Sequence, residues 1–231
     1  MHTFVRWTVR VLALVVAVFL LVQLWFFAHI LLWRYANPGE TAFMSYRLAE
    51  LRNTNPSAQL RRQWVPYARI SPHLKRALIA AEDARFVDHE GFDWDGIQYA
   101  LAKNERRGRV VAGGSTITQQ LAKNLFLSPT RSLWRKGEEA IITVMLEAVL
   151  DKQRIFEIYL NVIEWGTGIF GAEAAAQRYY GVSAAALSPG QAATLAAMAP
   201  NPRFYERHLG APGLAKKTSI ILARMPAAEL P

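Results

Sequence analysis

From Val11 to Trp33 the chain runs for 23 residues without a charged side chain, and its only polar interruptions are Gln23 and His29. As a helix with a rise of about 1.5 Å per residue, such a run crosses a hydrocarbon layer of about 30 Å. Trp7 and Trp33 stand near its two ends, where interfacial aromatic residues belong. The run is longer than the apolar core of a secretory signal, and no A-x-A cleavage pattern follows it. The reading is an uncleaved signal-anchor over residues 11–33, preceded by a short tail, residues 1–10, on the cytoplasmic side. Arg6 and Arg10 before the run favour that orientation, while Arg34 directly after it keeps the bias small.

A chain of 231 residues leaves room beyond the anchor for one domain of ordinary size. The absence of cysteine excludes disulfides, thiolate catalysis and cysteine-bound metal. Three of the nine net positive charges lie at or before Arg34, which leaves a net charge of +6 on the remainder. A basic domain on a membrane tether points to anionic headgroups or a phosphorylated substrate. The anchor, together with the lack of an Arg/Lys-rich recognition element, argues against a nucleic-acid partner.

Residues 34–70 read as a linker and jaw-proximal segment, punctuated by Asn37-Pro38-Gly39, Asn53-Thr54-Asn55-Pro56 and Pro66. The domain over 71–231 reads as mainly α, with helices near 72–83, 95–105, 116–126, 132–150, 152–160, 171–180, 189–198 and 214–225 and no alternating strand pattern. Thr116 with Gln119 and Ser188 with Gln191 form capping boxes, Asp151 caps the helix after it, and Gly181 stops the one before it. Lys103 to Arg109 reads as a basic loop, either solvated or laid against anionic headgroups.

Ser71-Pro72 opens a mostly apolar helix on which Leu74, Leu78 and Glu82 fall at i, i+4 and i+8. A carboxylate on that face is desolvated and lies near the negative end of the helix dipole. Both effects raise its pKa, as suits a general base or acid, whereas a lone glutamate there would more often merely mark the exposed end of a helix. Next, Gly113-Gly114-Ser115-Thr116 leads into a helix on which Thr116, Gln120 and Lys123 share one face. Free backbone N–H groups beside glycines, with a lysine one to two turns along, suit a phosphate; by spacing alone the stripe serves equally well as a solvated face. Arg135 and Glu139 are four apart and share a face, which also fits a simple exposed ion pair. Gly166, Gly168 and Gly171 spell G-x-G-x-x-G, but no strand precedes them, so they read as a tight turn with close helix packing rather than a dinucleotide site.

Four motifs occur in order: E-D-x-x-F-x-x-H-x-G-F-D from Glu82, G-G-S-T-I-T-Q-Q-L-x-K-N from Gly113, R-K-x-x-E from Arg135, and K-x-R-I-x-E-x-Y-L-N from Lys152, with a further segment from Pro189 to Tyr205. On these, the chain resembles the monofunctional biosynthetic peptidoglycan transglycosylases, glycosyltransferase family 51, from about Ser71 to Tyr205. The departures are Thr143, where the family more often has Ala, and Phe156, where it more often has Leu; both concern packing.

The resemblance implies a lysozyme-like helical domain with a membrane-dipping jaw, acting on lipid II at the periplasmic side of a bacterial inner membrane. By position, Glu82 would be the general base and Glu139 the second essential carboxylate. Lys123, Arg135 and the Thr116/Gln120 face would hold the diphosphate, and Asp83, Phe86 and His89 would shape the acceptor side. Ser115, Gln119, Asn124, Lys136, Arg154, Glu157, Tyr159 and Asn161 carry over as further substrate-binding positions. No cofactor is firmly implied, although the family admits a divalent cation, Mg or Mn, at the diphosphate. Partners would be the growing glycan, the membrane and proteins of a division or elongation complex. Bifunctional relatives append a transpeptidase; this chain stops at Pro231 and contains no S-x-x-K, so polymerisation without cross-linking is expected. The rivals are a lysozyme-like hydrolase of the same polymer, and an inactive scaffold that recruits partners through its span.

Overall fold

The computed structural model describes residues 2–109, 113–130 and 132–231. In chain order the elements are α1 (His2–Trp33), α2 (Ala42–Arg52), β1 (Arg61–Arg62), α3 (Pro72–Glu82), α4 (Trp94–Arg107), α5 (Ile117–Phe126), α6 (Leu133–Val149), α7 (Lys152–Val162), β2 (Glu164–Gly166), β3 (Ile169–Phe170), α8 (Ala172–Tyr180), α9 (Pro189–Met198), α10 (Pro202–Arg207) and α11 (Pro212–Arg224). The domain is mainly α, and every expected helix is present within two residues of its expected ends.

The local signals explain those ends. Ser71 accepts from the His73 N–H at 3.2 Å and donates to the Leu187 carbonyl at 3.0 Å, so it caps α3 and ties it to a distant loop. Both capping boxes are formed, at Thr116–Gln119 and at Ser188–Gln191. Gly108 (φ 61°) and Gly181 (φ 66°) close α4 and α8 in the left-handed region. The basic stretch expected as a loop from Lys103 is therefore helical as far as Arg107, because the glycine that stops it comes only afterwards.

Helix α7 forms the centre of the core. Ile155, Phe156, Ile158, Tyr159, Leu160, Asn161 and Val162 are all buried, and α5, α6 and α8 pack around them. Helices α3, α9 and α11 form a second group. Helix α1 stands largely outside the domain; among the described residues it is the one helix long and apolar enough to cross a membrane. Its C-terminal half docks: Phe19 lies against Trp134, Phe26 and Ile30 are buried, and Phe26 and Trp33 lie against Phe126 with ring centroids 4.8 and 5.1 Å apart. Gln23, one of the two polar interruptions in the apolar run, donates to Glu138 of α6 at 3.0 Å.

Two features depart from the sequence reading. Residues 34–70 do more than link: α2 packs on α5, burying Phe43 and Met44, and Arg62 holds the Pro38 carbonyl at 3.2 Å. A small sheet in the order β1-β3-β2 also occurs, its β1–β3 pair parallel and its β2–β3 pair antiparallel. Strands of two or three residues are too short to show an alternating pattern.

The glycine-spaced turn behaves as expected. Gly168 (φ 71°) makes the β2–β3 turn, and Gly171 (φ 83°, ψ 155°) starts α8 where a Cβ would lie 2.8 Å from the Asn161 carbonyl oxygen. That backbone region is open essentially to glycine alone. Gly171→Ala is accordingly expected to destabilise the protein by about 2 kcal/mol or more, read as a fall in denaturation midpoint in detergent; an unchanged midpoint would contradict the clash.

Candidate active site

Leu74 and Leu78 are fully buried, and the face they define carries Glu82 to the last position of α3. The Glu82 side chain is half-buried as a whole, yet its two oxygens differ. Oε2 accepts from Gln120 Nε2 at 2.7 Å, whereas Oε1 is fully buried and has no hydrogen-bond partner. Burial raises the Glu82 pKa, and Asp83 beside it adds to the rise. The Gln120 hydrogen bond and the charges of Lys123 and Lys217 oppose it without cancelling it.

Gln120 is itself fixed. Its Oε1 accepts from the Tyr159 hydroxyl at 3.0 Å, and burial holds that phenol protonated by pushing its pKa well up. A donor on one side and a carboxylate on the other leave the amide one orientation.

Two hollows lie near Glu82, one reached through Gln120 and one that Glu82 lines itself. The first is an open cleft lined by Gln120, Lys123, Asn124, Arg135 and Tyr159 on one part and by Arg47, Glu164, Asn201 and Arg203 on another. The second is lined by Glu82 and Asp83 together with Tyr99, Ser115, Thr116 and Arg224.

The first hollow is cationic where α5 and α6 meet. Among the described residues the Lys123 ammonium makes no ion pair or hydrogen bond, and its partial burial lowers its pKa, more than Glu139 nearby raises it. Arg135 donates from Nη1 to Glu139 at 2.8 Å, but its buried Nε is unpartnered. Lys136 holds the other Glu139 oxygen and reaches Ser115 Oγ at 3.3 Å. Glu139, nearly buried, therefore aims two cations. Thr143, the departure from the expected alanine, donates to the Glu139 carbonyl at 2.7 Å and stiffens the same turn. Among the described residues no three His, Asp or Glu side chains are grouped to hold a metal. Both Glu139 oxygens are taken by cations.

Other expected contacts hold the site's frame. Asp83 Oδ2 accepts the Ile117 N–H at 3.0 Å, capping α5, and its Oδ1 holds His89 Nε2 at 2.9 Å. Phe86 is fully buried against Phe156. Thr116 and Gln119 are spent on their capping box, and Thr116 also donates to the Gly91 carbonyl at 2.7 Å. Asn124 lines the cleft while bonding the Gln120 carbonyl at 2.7 Å.

Arg154, Glu157 and Asn161, also expected at the substrate, line neither hollow. Arg154 caps the end of α1 at the Trp33 carbonyl (2.8 Å) and pairs with Glu157 at 3.0 Å. Asn161 is fully buried and bonds both the N–H and the carbonyl of Val65 at 2.9 Å. Conversely, Phe43, Arg47, Glu164 and Arg203 line the cleft without having been expected there. Arg203 lay within the singled-out Asn201-Pro202-Arg203 segment, whereas Arg47 carried no sequence signal.

A family model described as Transglycosylase matches residues 48–226. The chain belongs to the transglycosylase family. It is 66% identical over 226 residues to the biosynthetic peptidoglycan transglycosylase of Dechloromonas aromatica, covering 98% of each chain. The protein of the same description from Chromobacterium violaceum is 64% identical over 222 residues, covering 96% of this chain and 97% of that one. The one from Azoarcus sp. is 61% identical over 231 residues, the full length of both. The transglycosylase is thus a glycosyl-transferring enzyme of lysozyme-like helical fold, with an apolar helix at its N-terminus fit to be a membrane anchor.

The raised pKa of Glu82 has a consequence for stability. A carboxyl whose folded pKa exceeds its usual 4.5 stabilises the fold below that value, and this contribution is lost as pH rises through the folded pKa. Glu82→Gln is therefore expected to raise the melting temperature at neutral pH, with the difference shrinking in acid. An equal or lower melting temperature at neutral pH would contradict a desolvated carboxylate.

Proposed function

We propose that this transglycosylase polymerises lipid II into β-1,4-linked glycan strands, releasing undecaprenyl diphosphate. The observation that carries the reading is the Glu82 carboxylate, with one buried oxygen free, joined through Gln120 to a cation-bearing hollow and itself lining a second. The donor strand lies in the first, its diphosphate against Lys123 and the free Nε of Arg135. The acceptor lies in the second, its 4-hydroxyl directed at Glu82 Oε1. As the hydroxyl oxygen attacks the anomeric carbon, its proton passes to Glu82 and the carbon–diphosphate bond breaks on the opposite face, inverting the centre. The cations meet the leaving-group charge, so no general acid is needed.

Glu139 bears on the rival reading. A hydrolase of the lysozyme type needs a second carboxyl free to attack or to activate water. Here both Glu139 oxygens are committed to Arg135 and Lys136. The apolar α1 supports an anchor in the bacterial inner membrane with the domain on the periplasmic side, where lipid-borne substrate is met. The sequence holds no S-x-x-K serine centre, so the reading ends at polymerisation.

The test is incubation of the detergent-solubilised protein with labelled lipid II, with products resolved on a gel. The expected result is a lysozyme-digestible ladder that Glu82→Gln reduces by about 100-fold or more and Lys123→Ala weakens through a higher KM. The acid limb of kcat/KM should lie above the usual glutamate value of 4.5, because the base must be ionised and burial raises its pKa. A variant Glu82→Gln with wild-type turnover would overturn the role of Glu82; a folded wild type that binds lipid II without polymerising it would favour the scaffold.

A further inference from the structure

The wall of the cleft built by α2, β2 and α10 has a chemistry of its own. Glu164 is nearly buried, its side chain 6% exposed, and Oε2 accepts from Arg47 Nε at 3.1 Å. Its Oε1 is buried without a hydrogen bond, the nearest cation being Arg203 Nε at 3.5 Å. Arg47 and Arg203 both turn to Glu50 as well, at 2.8 and 2.9 Å. Two guanidiniums and two carboxylates thus neutralise one another, and the array stops one hydrogen bond short of completion, at an oxygen belonging to a cleft-lining residue.

That arrangement disfavours an anion, since a phosphate here would face a buried carboxylate. It suits a neutral donor, because a hydroxyl or amide N–H brings the missing proton without adding charge, and a buried acceptor left unsatisfied is costly. Sugars present such groups on every ring, and rows of carboxylate and guanidinium offer the planar hydrogen bonding they need. Aromatic Phe43 and Tyr159 line the same hollow.

We propose that Arg47, Glu164 and Arg203 form a glycan subsite of the donor cleft, in which Glu164 Oε1 accepts a hydrogen bond from a hydroxyl or N-acetyl amide of a sugar beyond the reacting one. The proposal rests on the polymerase reading above. Such a subsite is filled by an elongated strand and left empty, or less filled, by a single disaccharide, so it favours extension over initiation.

The experiment compares full-length wild type, Glu164→Ala and Glu164→Gln in detergent, each with lipid II alone and with a lipid-linked tetrasaccharide as donor. Melting temperatures are measured in parallel. For Glu164→Ala the tetrasaccharide KM is expected to rise about tenfold more than the monomer KM, the loss of one charge-assisted hydrogen bond. Products should shorten correspondingly. Glu164→Gln, which keeps an acceptor oxygen, should restore part of the difference and supplies the readout if the alanine variant does not fold. Equal KM changes for both donors, or none, in a wild type that polymerises would overturn the subsite alone. A wild type inactive with both donors would instead overturn the polymerase reading.

Discussion

Glu82 is held by a hydrogen-bond chain that begins in the core. Tyr159 sits on the buried face of α7, donates to Gln120 on α5, and Gln120 donates to Glu82 at the end of α3. Each link fixes the next, because a protonated phenol admits one amide orientation and that orientation leaves one carboxylate oxygen uncovered. Three helices must therefore meet at the right depth for the site to exist. The buried residues of α7 set that depth, and Asp83 repeats the lock from the other side by capping α5 while holding His89. The desolvation that raises the Glu82 pKa is a product of the same packing. Basicity and geometry here have one cause.

The charges divide along structural lines. On α6, Glu139 takes one donor from Arg135 and the Lys136 ammonium, which pre-orients cations that would otherwise repel one another. Lys123 is left half-buried and unpaired, an arrangement unfavourable to the empty protein and relieved by an anion. On the α2, β2 and α10 wall the four charges cancel. One cleft thus holds a surplus of positive charge in one part and near-neutral hydrogen-bonding capacity in another. A diphosphate joined to a sugar strand has that same division.

Much of this was legible in the sequence because the signals were local. Capping boxes at Thr116 and Ser188, Pro72 after Ser71, and Gly181 each report a helix end through bonds within a few residues. The leucine-to-glutamate spacing on α3 revealed desolvation before any packing was known. What escaped depends on partners far along the chain. Helix α2 buries only Phe43 and Met44 of its first turn, so it lacks an apolar stripe, and Arg47 gains its meaning from Glu164, 117 residues away. Arg154 and Asn161 show the converse. Their motif was recognised, but a guanidinium or amide satisfies a backbone carbonyl as readily as a substrate, and only the fold reveals that Arg154 faces the end of α1 and Asn161 faces Val65.

The anchor enters the argument through α6. Successive residues on a helix point about 100° apart, so Glu138 and Glu139 necessarily face different neighbours. Glu138 turns to Gln23 of α1, and Glu139 turns to Arg135 and Lys136 at the cleft. A glutamine within an apolar run is costly unless paired, and its pairing here pins α1 to the very turn that carries Arg135 and Lys136. Phe26, Ile30 and the Phe126 ring stack fix the same join at the neighbouring helix, and Arg154 closes it beyond Trp33. An anchor tethered by a loose linker would only raise the local concentration of substrate. Docked in this way, a helix fit to be a membrane anchor also fixes how α6 stands relative to it, and with α6 the placement of Arg135 and Lys136.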